Sequence, residues 1–239
     1  MFTNTPTIFA RNTTRVFVSA CLLCLALPTQ ASAQEVRAQT NAPWENYNRP
    51  QAALMFGMIQ PVLLRGGNIE GDFAYKRLVV GYSHGFNLDF EGSTVTGEAS
   101  EQGLSFRMPF TTGFGVGVRL LEWLDVRFEA KIHRFEVREA STDTTRLEYT
   151  TSTLGAGIYA RYRPLYHFGL ASHTPTWTHG FTIAPSLRFW PNVWSSLKDN
   201  QATYDNQTTG QREVHTALRA GIANSPIIAN VGLGYLVTF

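Results

Sequence analysis

The stretch LDVRFEAKIH, from Leu124 to His133, alternates strictly between apolar and ionisable side chains. Successive side chains of a β-strand point to opposite faces, so this segment predicts a strand that separates two very different environments. Its apolar face holds Leu124, Val126, Phe128, Ala130 and Ile132, and its ionisable face holds Asp125, Arg127, Glu129, Lys131 and His133.

The preceding segment, FRMPFTTGFGVGVRL (Phe106 to Leu120), repeats this alternation and is joined to the first by the short connection LEWLD. Two alternating runs with a short connection predict an antiparallel hairpin. We expect its apolar face to hold Phe106, Met108, Phe110, Thr112, Phe114, Val116, Val118 and Leu120, and its polar face to hold Arg107, Thr111, Gly113, Gly115, Gly117 and Arg119.

Six further segments carry a similar signal, which brings the predicted number of strands to eight. In the segment 78–90 we expect Leu88 and Phe90 on the apolar face, with Asn87 and Asp89 on the polar face. The segment 52–64 is apolar on both faces and is the weakest of the set. The six segments are residues 52–64, 68–75, 78–90, 152–165, 180–194 and 227–239.

The N-terminal region predicts export from the cytoplasm. Arg11 and Arg15 precede a short apolar run, Val16 to Leu27, and the small residues ASA end at Ala33. This order is typical of a secretory signal peptide, which we expect to span residues 1–33. The alternative of a lipoprotein signal ending at Cys21 leaves too short an apolar run. Residues 34–51 are then a periplasmic N-terminal segment, and residues 52–239 form the folded domain.

Cleavage after Ala33 would remove both cysteines, Cys21 and Cys24, so the exported chain has no disulfide to stabilise a small secreted domain. The whole chain has 20 basic and 18 acidic residues, and removing Arg11 and Arg15 leaves 18 of each. This balance gives no basic surplus for nucleic acid, so no nucleic-acid partner is expected.

Two architectures can accommodate eight amphipathic strands. A soluble sandwich buries the apolar face against a second sheet and exposes the polar face to water. A transmembrane barrel places the apolar face against lipid and the charged face in its interior. The signal peptide, the ionic polar faces and the aromatic residues near strand ends favour an all-β, transmembrane, antiparallel up-and-down β-barrel of about eight strands.

The terminal segment NVGLGYLVTF places Tyr235 and Phe239 on the same face as Val231, Leu233 and Val237. This pattern resembles the C-terminal strand signal of Gram-negative outer-membrane β-barrel proteins, here of the small eight-stranded class. The resemblance implies that Tyr235 and Phe239 form an assembly signal for the barrel-assembly machinery. It also implies a bacterial outer-membrane location, with outer-membrane lipid and lipopolysaccharide as partners.

Loop lengths agree with such a topology. Outer-membrane barrels have short periplasmic turns and longer extracellular loops. Three of the four predicted extracellular connections are long, ending with the polar tract from Lys198 to about Pro226. The segment from Tyr166 to His179 is long for a periplasmic turn.

The interior of an eight-stranded barrel is only wide enough for side chains or one small ligand. We expect a lumen charge network in which acids and bases pair, because isolated buried charges are costly. The alternative is a narrow channel for small solutes or hydrophobic ligands. The predicted network comprises Glu70, Asp72, Asp89, Arg107, Arg119, Asp125, Arg127, Glu129, Lys131, His133, Arg161, Arg163 and Arg188.

Catalytic and metal sites are not expected. Ser83 and His84 are adjacent on a strand, so they point to opposite faces and cannot form a nucleophile and base pair. His167, His173 and His179 recur at intervals of six residues, which matches no familiar zinc spacing and suits an interfacial position. A lipid-modifying enzyme remains a further alternative. We therefore predict a monomeric surface protein without cofactor, acting as an envelope scaffold or through its loops.

Overall fold

The computed structural model describes residues 49–90, 104–139, 144–164, 178–206 and 210–239. All of them lie in the compact unit Pro43–Phe239. The predicted signal peptide, residues 1–33, lies outside the described residues, as does the predicted periplasmic segment 34–51 up to residue 48.

The described chain is almost entirely β-strand. The strands are β1 (Gln51–Gly57), β2 (Gly67–Tyr75), β3 (Leu78–Phe90), β4 (Leu104–Leu121), β5 (Leu124–Glu139), β6 (Thr144–Ala160), β7 (Thr178–Phe189), β8 (Asn192–Ser195), β9 (Gln201–Asn206), β10 (Gln211–Thr216) and β11 (Ile227–Thr238). The helical elements are α1 (Ile59–Leu63) and two 3₁₀ turns, Lys198–Asn200 and Ile222–Asn224. No helix in these described ranges has the length and apolar composition needed to cross a membrane.

Eight of the strands close into an antiparallel ring. Strands β1 to β7 pair in chain order, β7 pairs with β11, and β11 pairs with β1. The closing pair runs from Gln51 opposite Thr238 to Gly57 opposite Gly232. The predicted antiparallel barrel of eight strands is therefore confirmed. Below, the lower end of the ring is the end at Gln51 and Thr238, and the upper end is the opposite one.

The first predicted strand, residues 52–64, is too long. Strand β1 ends at Gly57, and the one-turn helix α1 (Ile59–Leu63) takes its place. Pro61 has no backbone N–H to donate to a ladder, but it is tolerated in the first turn of a helix. The ladder with β11 therefore ends at Gly57, followed by one backbone hydrogen bond from Met58 N–H to Val231 O at 2.9 Å.

The upper end of the ring carries an additional hairpin. Pro191 separates β7 from β8, and β8 pairs with β6 only. The polar tract from Lys198 to Pro226, predicted as a loop, contains strands β9 and β10, which pair only with each other. This hairpin (Gln201–Thr216) is referred to below as the β9–β10 hairpin.

Two irregularities reverse the inward and outward faces near the upper ends of β3 and β4. Asn87 adopts a left-handed backbone conformation with φ 52°. In β4, Met108 and Pro109 both lie opposite the single residue Phe135, so the register shifts between Arg107 and Phe110. Each irregularity inserts one extra residue into the strand. Beyond it, residues that would have pointed outward point inward, and the reverse.

The reversal corrects part of the predicted pattern. Leu88, Phe90, Phe106 and Met108, predicted on the outer apolar face, pack inside the ring with at most 5% of each side chain exposed. The predictions that Asp89 and Arg107 face the lumen are wrong. They lie opposite each other on the outer side, where Arg107 Nη2 donates to Asn87 Oδ1 at 2.9 Å.

The polarity of the wall inverts along the ring axis. In the lower part, outward side chains are apolar and exposed, as in Phe114 (63%) and Phe128 (60%). On β5 the outward side chain after Ile132 is Arg134, which pairs with Glu148 on the outer surface. The next inward side chain after His133 is the buried Phe135. The change from apolar to charged outside therefore coincides with the change from polar to apolar inside.

Candidate functional site: the charged interior

The lower interior contains a cluster of acidic and basic side chains in equal number. Strands β2, β5 and β7 contribute seven of them, and the residue that follows β6 contributes the eighth. These residues are called the charged layer below. All are buried, and they comprise Glu70, Asp72, Asp125, Arg127, Glu129, Lys131, Arg161 and Arg188.

Arg127 is the centre of the charged layer. Its Nη1 and Nη2 donate to the two carboxylate oxygens of Asp72, each at 2.6 Å. Its Nε donates to Asp125 Oδ1 at 2.5 Å, and Nη1 lies 3.3 Å from Glu70 Oε1. The planar guanidinium group therefore satisfies three carboxylates on two strands, a geometry that lysine cannot reproduce.

Two further arginines complete the pairing of these acids. Arg161 Nη2 lies 3.1 Å from Asp72 Oδ2 and 3.1 Å from Asp125 Oδ2. Arg188 Nη2 donates to Glu70 Oε2 at 2.7 Å. Because β2, β5, β7 and the segment after β6 all contribute, the ion pairs link opposite sides of the ring.

Tyr159 fills the space between two of these arginines. The Cζ atoms of Arg127 and Arg188 lie 4.0 Å and 4.6 Å from its ring centroid. A guanidinium over an aromatic face gains electrostatic attraction that increases where water is excluded. Tyr159 thus packs the layer without adding a charge.

The upper boundary of the charged layer is formed around Trp190. Its Nε1 donates to Glu129 Oε2 at 2.7 Å, and Lys131 Nζ lies 4.3 Å from its ring centroid. Lys131 also donates to the hydroxyl of Ser83. Above them, His133 lies 2.7 Å from the Thr111 hydroxyl and 3.0 Å from that of Thr153.

Glycines on β3 and β4 make room for Arg127. A Cβ at Gly81 would lie 2.7 Å from both Arg127 Nη1 and Asp72 Oδ1. One at Gly117 would overlap the Val126 backbone oxygen and lie 2.8 Å from Arg127 Cγ. These contacts are shorter than real Cβ atoms make. The absence of a side chain at Gly81 therefore leaves room for the guanidinium group, and its absence at Gly117 leaves room for the β5 backbone and the stem of Arg127.

Two small cavities lie beside the charged layer. A cavity lined by Glu70, Tyr159, Arg188 and Asn230 has a volume of about 10 Å³, which is room for roughly one water molecule. A second cavity, beside Gln51, Asp72 and Arg161, has no room for a water molecule. Side chains of the charged layer line both of these small cavities.

The remaining predicted lumen residues border the charged layer, and Arg119 of β4 lies opposite Asp125 of β5 in the strand register. Arg119 is buried near the lower end and donates to Gln51 Oε1 at 3.1 Å. Arg163 follows β6 at the lower rim and is half-buried. His133 contacts threonines rather than carboxylates. Trp190 was not among the predicted lumen residues, although alternation from Arg188 places it on the inward face.

Above His133 the interior is apolar. The buried residues of this region, called the apolar cap below, are Leu88, Phe90, Leu104, Phe106, Met108, Phe135, Val137, Tyr149 and Leu218. The β9–β10 hairpin lies against it through Tyr204 and His215. The His215 ring stacks on Phe106 with centroids 5.6 Å apart.

One hydrogen-bonded group joins this hairpin to the wall. The backbone N–H of Leu218 donates to the Tyr149 hydroxyl oxygen at 3.0 Å, and that hydroxyl lies 3.1 Å from His215 Nε2. Burial lowers the pKa of His215 to about 4 and raises the pKa of Tyr149. Both groups are therefore neutral at pH 7, and the Tyr149 hydroxyl can donate its hydrogen to Nε2.

The other candidate residues occupy separate places. Ser83 points inward to Lys131, whereas His84 lies on the outer side and stacks on Phe86. His179 contacts the Tyr235 hydroxyl at the lower end, and His167 and His173 lie outside the described residues.

The terminal residues of β11 lie at the lower rim. The side chains of Tyr235 (48%) and Phe239 (55%) are exposed on the outer side. Phe239 is held by its backbone, which donates to Pro50 O at 2.9 Å and accepts from Arg49 Nε at 2.8 Å.

Comparisons with known proteins give a likeness at the level of structure and none at the level of sequence families. No protein-family model matches the chain, and no curated protein sequence matches it. Among solved structures, the chain is similar to a major outer membrane protein from Thermus thermophilus, with 12% sequence identity and a TM-score of 0.41. The match covers 80% of this chain and 99% of that one. By its own strand pairing, the chain is a closed eight-stranded antiparallel β-barrel with an apolar outer belt and a charged interior, the architecture predicted above for small outer-membrane barrels.

Proposed function

We propose that this chain is an integral outer-membrane surface protein whose lumen is closed by ion pairs. The observation that carries the proposal is the inverted polarity of the lower wall, with exposed apolar side chains outside and buried charges inside. In water this arrangement would expose a large continuous apolar surface, whereas in a bilayer it places that surface against lipid.

The height of the outer apolar belt supports insertion across one membrane. From Leu124 to Ile132, β5 advances by roughly 27 Å along the strand at about 3.4 Å per residue. A tilt of about 40° reduces this to roughly 21 Å along the barrel axis, near the ~25 Å apolar band of outer-membrane barrels. Exposed Trp123 lies just below this stretch and Arg134 just above it.

The charged layer supports a structural lumen rather than a conduit. Removing an ion from water costs several kcal/mol unless partners replace the lost hydration. Here Asp72 and Glu70 receive short, charge-assisted bonds from arginines on other strands, such as Arg188 to Glu70 at 2.7 Å. Such pairs join opposite walls and occupy the space that a permeating solute would need.

The upper part supports a role at the cell surface. Beyond Arg134 the wall has a charged exterior and its own apolar core, as a water-exposed domain does. The β9–β10 hairpin presents polar side chains outward from this base, including Thr203, Asp205 and Arg212. We propose that the upper end is extracellular and acts as an envelope scaffold or a platform for loop-mediated contacts.

The remaining parts of the proposal follow from this placement. The chain would reach the outer membrane after removal of residues 1–33, assemble through the barrel-assembly machinery, and remain a monomer among outer-membrane lipid and lipopolysaccharide. A catalytic role is not proposed, because Ser83 and Lys131 are each no more than 5% exposed inside a filled lumen.

Conductance measurements test the closed lumen. Purified protein in a planar lipid bilayer should show no steady single-channel steps. Steady steps from the unaltered protein, abolished by filling the lumen further, would overturn the proposal in favour of a narrow channel.

A further inference from the structure

We propose that His215 is an acid-sensitive latch that holds the β9–β10 hairpin over the upper mouth of the barrel, and that protonation of its ring releases the hairpin. This inference rests on the proposed function in taking the upper end as the water-exposed mouth. Release would open the apolar cap to water and to apolar molecules.

The hairpin depends on side-chain contacts for its attachment. Its two strands pair with each other and with no strand of the ring. One hairpin face carries Ala202, Tyr204 and His215 toward the barrel, and the other exposes Thr203 and Val214. Contacts made by the inward side chains therefore decide whether the hairpin stays docked.

His215 is the most deeply buried of these inward side chains, with 2% of its surface exposed. Its ring lies between Phe106 of β4 and Tyr149 of β6, with both ring centroids 5.6 Å away. Its Nε2 is 3.1 Å from the Tyr149 hydroxyl. The ring thus connects the hairpin to two strands of the wall.

A neutral ring with its hydrogen on Nδ1 fits the hydrogen-bond pattern. The Tyr149 oxygen already accepts from the Leu218 N–H, so its single hydrogen is available for Nε2. A proton on Nε2 would turn this acceptor into a donor and leave the tyrosine hydrogen without its partner. It would also place a cation among apolar side chains of the cap.

The neighbouring groups offer the protonated ring little compensation. Phe106 of β4, Tyr149 of β6 and Ala202 of β9 carry no charge at neutral pH. On the hairpin itself, Glu213 accepts from the Tyr204 hydroxyl at 2.8 Å. At the rim of the wall, Glu139 pairs with Arg146 at 2.6 Å, and Asp205 is exposed on the outward face.

The direction of the pH effect follows from these contacts. A released His215 has an ordinary pKa near 6.5, whereas the docked ring has a pKa lowered to about 4. Docking is therefore fully favoured above pH 6.5 and weakens as the pH falls toward 4. Each pH unit in this window shifts the docked-to-released ratio by up to about tenfold.

Hydrogen exchange measured by mass spectrometry on the full chain in lipid vesicles tests the latch. Rates for peptides covering residues 201–218 are divided by those of the same peptides unfolded at each pH. Between pH 6.5 and 4.5 we expect their protection to fall by about 40-fold, because a released ring is already half protonated at pH 6.5. Protection of the β5 segment 124–132, inside the membrane belt, should stay constant and serves as the internal reference.

Two variants distinguish the contribution of His215 to the pH effect from that of other titrating groups. His215→Gln keeps an acceptor for Tyr149 but does not protonate, so its protection should be independent of pH. Glu213→Gln is the matched control, and its protection should fall at low pH as much as that of the unaltered protein. If His215→Gln does not dock at pH 7, the apolar double variant Tyr149→Phe/His215→Leu replaces it and should also be independent of pH.

Two outcomes would overturn the latch. One is constant protection of residues 201–218 in the unaltered protein from pH 6.5 to 4.5, and the other is an equal fall in variants without His215. Neither outcome affects the closed lumen, which lies below the cap and is tested separately by conductance.

Discussion

Replacing Arg127 by methionine should destabilise the barrel more than any other single change in the charged layer. The substitution leaves Asp72, Asp125 and Glu70 without contacts of 2.6, 2.5 and 3.3 Å in a site where Arg127 is only 2% exposed. Arg161 and Arg188 remain, but they cannot replace three sets of hydrogen bonds. Breaking a buried pair by removing one partner costs about 3–5 kcal/mol, and we expect a loss of unfolding free energy in that range.

The assay is urea unfolding in lipid vesicles, followed by tryptophan fluorescence. Arg134→Met is the matched control, because it removes the same group from the exposed pair with Glu148 and should change stability little. Adding Asp72→Asn to Arg127→Met removes one of the carboxylate charges that lost its partner, and it should recover part of the lost unfolding free energy. If Arg127→Met is as stable as Arg134→Met, the charged layer does not stabilise the barrel, and the reasoning from buried ion pairs is refuted.

Two further predictions concern the outer surface. Phe128→Arg places a charge in the apolar belt, where Phe128 is 60% exposed, and should cost about 2–4 kcal/mol near the bilayer midplane in the same unfolding assay; an unchanged stability would argue against lipid contact at this position. Deleting Phe239 should lower the yield of heat-modifiable folded barrel on semi-native gels, since its exposed ring is the predicted assembly signal; normal assembly of the truncated chain would contradict that role.

The lower half of the barrel follows from sequence alternation because β5 keeps its period there without interruption, and the register shift in β4 between Arg119 and Leu121 lies at the very end of that strand. In β5 the apolar side chains from Leu124 to Ile132 face outward, and Asp125, Arg127, Glu129 and Lys131 are buried inside. Alternation does not predict which acid pairs with which base. The pairing of Arg188 with Glu70 joins residues 118 positions apart, and only the closed register of the ring brings them together.

The upper half is less predictable, for two physical reasons. A bulge exchanges the two faces of a strand. Asn87 and Pro109 are compatible with an irregularity in the sequence, but they do not indicate which face each following side chain takes. In addition, Phe135 and Val137 continue the ionisable side of LDVRFEAKIH, so the inward face changes from polar to apolar without any break in the strand. A single rule for the whole strand therefore placed Asp89 and Arg107 in the lumen.

The β9–β10 hairpin illustrates a third difficulty. QATYDN and QREVHT contain few apolar residues, so their composition predicts a solvated loop. They form strands because Tyr204 and His215 pack on the apolar cap, a surface supplied largely by strands distant along the chain, such as Tyr149, 66 positions from His215. Tertiary contact therefore outweighs local preference here.

The reversal of wall polarity between His133 and Arg134 can be measured directly by spin labelling along β5. The native cysteines, Cys21 and Cys24, both lie within residues 1–33, so single cysteines can be placed from 124 to 138 in the remaining chain. Collision rates of the label with oxygen and with a water-soluble nickel chelate report exposure to lipid and to water. We predict that oxygen dominates at positions 126, 128, 130 and 132 and that the nickel chelate dominates at 134, 136 and 138. Nickel accessibility throughout, or no reversal above position 132, would contradict the proposed membrane barrel.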